Sequence, residues 1–467
     1  LLCILKTCLL FVCPQISLIE RRGRIPLLKL DLDMKTIISR PVIIIGAGAA
    51  GLAAGRSLTR HGVKVIILEA SQRIGGRIHS ILDERFPIPV ELGAEFVHGV
   101  PPETFKILNQ CKIEALEIDG TFFALQSGKV SKADHTGIWN ALELFADSEE
   151  HDCSFADFAS RNQFAADDLK AATAYVEGFN AAHANLISAR SLAIANEATA
   201  QIDGERQFRL TAPYLEVAKS LYSQSDSRFC ELRLNAEVKS VHWKKGSVTC
   251  ETRGGDKVEG SAVVVTLPLP LLQHRDVHFS PGLTVKEQAL NKIEMGKVQR
   301  IVMLFKESFW EKLSIDGRSF DNLSFITSDQ TPFRTWWTLN PRRLPVLIGW
   351  NAGAAYIENM GEEELVKIAL KQLASIFQVE ESFVRGQMQA SIFYDWTNDR
   401  LFQGAYSYCK AGGVDAPRIL AEPIQDTLYF AGEATNWQGH IGTVHGAIES
   451  GDRAAGEYLR AHNIFWH

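Results

Sequence analysis

Val42-Ile43-Ile44-Ile45-Gly46-Ala47-Gly48-Ala49-Ala50-Gly51, then a helical stretch from Leu52 to about His61, then Val63-Lys64-Val65-Ile66-Ile67-Leu68-Glu69, decides the fold of this chain. The first four residues are an unbroken apolar, β-branched run, as in a strand buried on both faces. A glycine-rich turn follows at once, Gly62 breaks the helix, and the second strand ends on an acid. Strand, glycine turn, helix, strand, acid is the order in which an α/β unit holds a dinucleotide. Gly46 permits the tight turn, Gly48 lets backbone approach a pyrophosphate, and Gly51 lets helix and strand pack closely. The amino end of the helix offers N–H groups and positive potential to that pyrophosphate, and Ala50 of the turn is assigned to the same cofactor site. Glu69 stands 18 residues after Gly51, with Ala70 beside it, and is placed to accept ribose hydroxyls. An acid there also disfavours a 2′-phosphate. The turn alone does not separate NAD from FAD.

Outward from this unit, 467 residues suggest about three domain-sized units at ~150 residues each, or two large interleaved ones. Hydrophobic residues make up 46% and charged residues 22%, enough to bury a large core. Lys+Arg 49 against Asp+Glu 55 leaves a net charge of −6, which argues against a nucleic-acid binder, since phosphate contacts need a cationic face. The eight cysteines show no CxxC or Cys/His ligand spacing, so neither a disulfide framework nor a metal site is expected. They read as reduced thiols of a cytosol-like compartment. Residues 1–39 read as a leader or upstream extension outside the fold. The apolar stretch Leu1–Pro14 is short, is interrupted by Lys6, and is no convincing membrane span.

Four further stretches narrow the dinucleotide. Arg73-Ile74-Gly75-Gly76-Arg77 and Glu91-Leu92-Gly93-Ala94-Glu95-Phe96-Val97-His98-Gly99 follow the first unit. Leu428-Tyr429-Phe430-Ala431-Gly432-Glu433-Ala434-Thr435 and Gly439-His440-Ile441-Gly442-Thr443-Val444-His445-Gly446 lie over three hundred residues later. Together these resemble the flavin-dependent amine oxidase family, which includes monoamine and polyamine oxidases and amine-oxidase-type histone demethylases. The resemblance implies FAD, with Gly76, Arg77, Gly93, Ala94 and Glu95 near it and Glu433 bonding its ribityl chain. Beyond Gly432, a helix opening at Thr443 and Val444 would face the flavin pyrimidine.

Between the motifs, Leu234-Asn235-Ala236-Glu237-Val238 resembles the adenine-contacting segment, which assigns Val238 to the adenine. Asn291 to Ile301 resembles the segment of the family's active-site lysine, which assigns Lys297 the water beside flavin N5. Tyr394-Asp395-Trp396 and Gly404-Ala405-Tyr406 place Trp396 near the flavin and Tyr406 as one wall of an aromatic cage. His98 matches a polar residue of polyamine oxidases near the substrate amine. Ala405 stands where covalent monoamine oxidases carry Cys, which implies non-covalent FAD. Thr443 and His440 stand where the second cage wall would be aromatic, which loosens the cage. Glu95 and Glu177 are either carboxylates for a second amine of a polyamine or surface charges.

The expected fold class is therefore α/β: an FAD-binding Rossmann-like domain of the glutathione-reductase type with an interleaved α+β substrate domain. Residues 40–115, 206–285 and 395–467 are assigned to the first, and 116–205 and 286–394 to the second. The implied activity is oxidation of a mono- or polyamine by hydride transfer to flavin N5, with O2 reoxidation to H2O2. The partners are a small amine and O2, with no nucleic acid and no firm sign of a membrane. A non-amine flavin oxidase or desaturase, and a catalytically silent FAD-binding scaffold, stay open as alternatives.

Overall fold

The computed structural model describes residues 40–130 and 136–464. The leader assigned to residues 1–39 lies outside them. Strand β1 (Val42–Ile45) is buried along its whole length, as a run that is apolar on both faces requires. Helix α1 (Ala49–Arg60) begins three residues before the expected Leu52, because the last glycine-turn residues are already helical. Strand β2 (Val65–Leu68) lies parallel to β1 with Val42 opposite Val65.

The sheet order is Cys230–Arg233, β2, β1, Ala262–Val265, Leu428–Phe430, with every neighbouring pair parallel. One sheet thus collects strands from three widely separated stretches. Its carboxyl edge carries the glycine turn, Glu69, Thr266 and Gly432. Ligands bind at that edge in open parallel sheets, so the fold gathers distant motifs at one place. On one face α1 packs against the C-terminal helix Val444–Ala461, where a Cβ on Gly451 would lie 2.2 Å from the Ala50 carbonyl oxygen. Arg56 and Ser57 both bond Asp452 across that contact, at 2.7 and 2.5 Å.

A second sheet has seven strands, in the order Met388–Asp395, Val298–Phe305, Val346–Ala352, Thr335–Thr338, Leu323–Ser328, Thr121–Gln126, Lys129–Val130. Helix Glu362–Ile376 covers one of its faces with Leu365, Ala369, Leu373 and Ile376, all buried. Its three leading glutamates sit at the positive end of the helix. Helices Thr136–Ala146, Phe155–Arg161, Ala166–Phe179 and Ala189–Ala200 share a further apolar core. The architecture is the α/β arrangement expected, a Rossmann-like unit joined to a mixed α+β part.

Candidate active site

A cavity of about 1440 Å³ runs from the parallel sheet's carboxyl edge to the seven-stranded sheet and the helix Ala166–Phe179. Ligand sites for drug-sized molecules span roughly 300–1,000 Å³, so this one suits a dinucleotide and a second molecule together. Except for Gly51 and Lys297, every residue assigned to the site from sequence lines it.

At the sheet edge, Gly51 shapes the turn from behind: a Cβ there would lie 2.0 Å from the Gly46 carbonyl oxygen. Gly48 pairs with Gly75 across the turn, and a Cβ on Gly76 would lie 3.2 Å from the Gly48 Cα. Bare backbone therefore faces the space where a pyrophosphate would sit, ahead of the amino end of α1. Glu69 is buried and accepts the N–H groups of Ala47 at 2.6 Å and Ser71 at 2.9 Å. These bonds hold its carboxylate at the cavity wall and leave lone pairs for ribose hydroxyls. Ala70 and Val238, the latter at the start of strand Val238–Lys244, complete this end. The cradle fits an adenine dinucleotide.

Further in, Arg77 ties the two distant motifs together. It donates to the Glu433 carboxylate at 2.8 Å and to the Ala405 carbonyl at 2.6 Å. The other Glu433 oxygen accepts from the Ser407 hydroxyl (2.5 Å) and the Gly442 N–H (3.0 Å). Glu433, expected to bond a ribityl chain, is thus first a buried clamp on three segments. Gly93 packs so closely that a Cβ would lie 1.9 Å from the Arg77 carbonyl oxygen and 3.0 Å from the Trp396 ring. Trp396 is fixed by donating to the Leu92 carbonyl at 2.9 Å. Thr443 is the N-cap of the helix Val444–Ala461, its hydroxyl accepting the Gly446 N–H at 3.0 Å. It ends the helix at the cavity rather than forming a cage wall.

Lys297 is a correction. It precedes strand Val298–Phe305, and residues alternate between the two faces of a strand. Its ammonium lies outside the cavity, paired with Glu358 and over the Tyr356 ring at 5.4 Å. Arg300, of opposite parity, is the cation of this strand that reaches the cavity wall. Lys297→Met is accordingly expected to keep amine turnover within about twofold, as for an exposed side chain. A loss of orders of magnitude with FAD retained would return the lysine to the site.

Arg300 does not act alone. Buried Glu95 bonds both Arg300 and Arg209 and accepts from the Trp337 indole N–H at 3.3 Å. Burial lowers the pKa of both guanidiniums, to about 9, which keeps them charged at neutral pH. Glu95 is therefore not free for a second amine. Glu177 is not free either, since it pairs with Arg334 at 2.9 Å.

The inner chamber is aromatic. Tyr406 and Trp350 stand nearly parallel, 13° apart with centroids at 6.4 Å. The Tyr406 hydroxyl donates to the Phe179 carbonyl at 2.6 Å, and the Trp350 indole N–H to the Gly178 carbonyl at 3.1 Å. The last carbonyls of a helix lack partners within it, and here two ring donors satisfy them. Trp350 and Phe179 were not anticipated as site residues; their side-chain types are ordinary for a strand and a helix end. His98, on strand Phe96–His98, lies edge-on to Phe179 at 5.5 Å. Desolvation inside the protein lowers its pKa to about 4, so it is a neutral imidazole at physiological pH.

Comparison with known proteins decides the family. The family model described as flavin containing amine oxidoreductase matches residues 49–169 and 139–459. The chain belongs to that family. It is 28% identical to polyamine oxidase 3 of Oryza sativa subsp. japonica, over 89% of this chain and 88% of the relative. It is also 28% identical to lysine-specific histone demethylase 2 of Homo sapiens, over 89% of this chain but only 53% of that protein. Putrescine oxidase bound to putrescine superposes with a TM-score of 0.76 at 19% identity, covering 90% of this chain and 99% of that one. Cyclohexylamine oxidase from Brevibacterium oxydans IH-35A gives 0.73 at 19% identity. As a family member the chain is an amine-acting oxidoreductase with FAD as cofactor. Among the described residues no helix is long and apolar enough to cross a membrane.

Proposed function

We propose that the chain oxidises a small amine at the carbon bearing nitrogen, giving an imine that water hydrolyses, with O2 as final acceptor and hydrogen peroxide as product. The observation that carries this reading is the continuity of one cavity from dinucleotide cradle to aromatic chamber. FAD, when bound, supplies the two-electron acceptor; the protein supplies position, desolvation and charge.

The chamber walls of Tyr406, Trp350, Phe179 and His98 carry little water-like polarity, which favours the neutral amine over its ammonium. The Tyr406 proton is committed to the Phe179 carbonyl, and burial raises the phenol's pKa, so this residue offers a ring face and no acid. The amine's lone pair stays free to assist loss of the neighbouring hydrogen. Neutral His98 can accept an amine N–H and so orient the carbon. The amino end of the helix Val444–Ala461 brings positive potential to the cavity, where anionic charge would be stabilised. Ala405 carries no thiol, so FAD is held without a covalent bond, and acid precipitation is expected to release all of it into the supernatant; flavin left in the pellet would contradict this. The five described cysteines are unpaired, which suits a reducing compartment.

A peroxide-coupled assay with a panel of amines tests the activity; equimolar aldehyde and peroxide are expected, and aldehyde without peroxide would replace O2 by another acceptor. The neutral histidine also has a pH consequence. Its pKa is 6.5 when exposed and about 4 when folded, so between those values the unfolded chain binds more protons. The His98 contribution is complete above pH 6.5 and is lost as pH falls toward 4. Melting temperature should fall across that window, and less steeply in His98→Gln. Equal slopes would place the sensitivity elsewhere.

A further inference from the structure

We propose that the site selects a monoamine with an apolar, aryl-bearing tail and rejects di- and polyamines. This rests on the amine-oxidising reading above and names its substrate class. Two independent features of the chamber point the same way.

The first is a row of rings leading away from Tyr406. Phe179 stacks on Tyr175 with centroids 5.1 Å apart and planes at 8°, and Tyr175 meets the edge of Trp139 at 5.6 Å. Tyr175 and Phe179 lie on one face of the helix Ala166–Phe179, where Ala171, Ala174 and Gly178 leave room beside them, and Trp139 comes from the helix Thr136–Ala146. Opposite, Phe122 stacks on Phe325 at 4.6 Å. Phe122, Tyr175 and Phe179 keep 59, 45 and 46% of their surface uncovered by protein, although all three line the cavity. Large apolar faces turned into a cavity favour an apolar ligand that covers them, in proportion to the area covered.

The second is charge. A diamine or polyamine carries a further ammonium several methylenes from the reacting nitrogen, and burying it needs an available carboxylate. The acids at this end are already matched: Glu177 with Arg334 at 2.9 Å, Asp329 with Lys170 at 3.0 Å, and Glu95 with two arginines. Glu205, also on the wall, is exposed, where water screens it. A second ammonium would meet no carboxylate among these that is both buried and uncommitted, and ring faces alone replace little of its lost hydration. An aryl tail meets only what suits it.

The test compares phenethylamine and phenylbutylamine with 1,4-diaminobutane, spermidine and a methyl-lysine peptide on the FAD-loaded enzyme. Binding is measured separately by calorimetry with analogues whose amine-bearing carbon has no hydrogen and which therefore cannot be oxidised. The expected result is kcat/KM about a hundredfold higher for the aryl amines, with the same order in binding. Arg334→Met, which frees Glu177, should raise the diamine value about tenfold, and Tyr175→Ala should lower the aryl preference by a similar factor. A diamine, polyamine or peptide that binds and turns over as well as the aryl amines overturns the inference and leaves the amine-oxidising function intact. Preferential binding of the aryl analogue with no oxidation of any amine upholds it while that function fails.

Discussion

Glu95→Ala is expected to cost about 3–5 kcal/mol of stability, the usual consequence of removing one partner from a buried ion pair. Glu95 is the single carboxylate between Arg209 and Arg300, and all three side chains are buried. Without it two guanidiniums face each other across a site that water does not reach. Among the described residues their remaining hydrogen bonds go to carbonyls, Arg209 to those of Asn340 and Thr338 and Arg300 to that of Gly93, with Glu91 left as a nearby opposite charge. The asymmetry makes the claim specific. Arg300→Met should cost less, because Glu95 then retains Arg209 as a one-to-one pair. Chemical denaturation of the FAD-loaded variants checks both, and a Glu95→Ala loss below that of Arg300→Met would contradict the assignment.

Gly51→Val should yield protein that purifies almost colourless. The added Cβ would meet the Gly46 carbonyl at 2.0 Å and the Ile44 side chain at 3.2 Å, and no flexible side-chain end is there to move aside. The turn must open, and with it the bare-backbone surface offered to the pyrophosphate. Overpacking of this kind costs about 1–3 kcal/mol, and located in the cradle it weakens FAD binding by about ten- to a hundredfold. Flavin content per protein, measured with circular dichroism to confirm folding, reads the result. Full flavin content in the variant would mean that Gly51 does not shape the cradle.

These predictions also mark where the sequence was legible. The dinucleotide cradle could be read because local geometry demands its residues: glycines where backbones touch and an acid at the end of the second strand; the cap at Thr443 shows only in the folded chain. The second glycine segment and the Gly432-Glu433 stretch were readable as a pattern, although only the folded chain shows Arg77 clamping Glu433. Lys297 was assigned to the site from the resemblance of Asn291 to Ile301 alone, and which face each residue takes depends on where the strand begins. Once the strand starts at Val298, Arg300 turns inward and Lys297 outward. The partners of Glu95 lie 114 and 205 residues away, beyond the reach of any local pattern. Trp350 and Phe179 enter the chamber where the Trp350 and Tyr406 side chains bond the last carbonyls of one helix, a tertiary contact with no signature in composition or spacing.

The central claim is that one cavity brings an oxidisable amine to bound FAD. Anaerobic titration of the yellow holoenzyme with phenethylamine, followed by its visible absorption, tests it most directly. The account predicts that the flavin band bleaches to completion and that the corresponding aldehyde accumulates in proportion. A band left unchanged by phenethylamine and by every other mono-, di- and polyamine would contradict it.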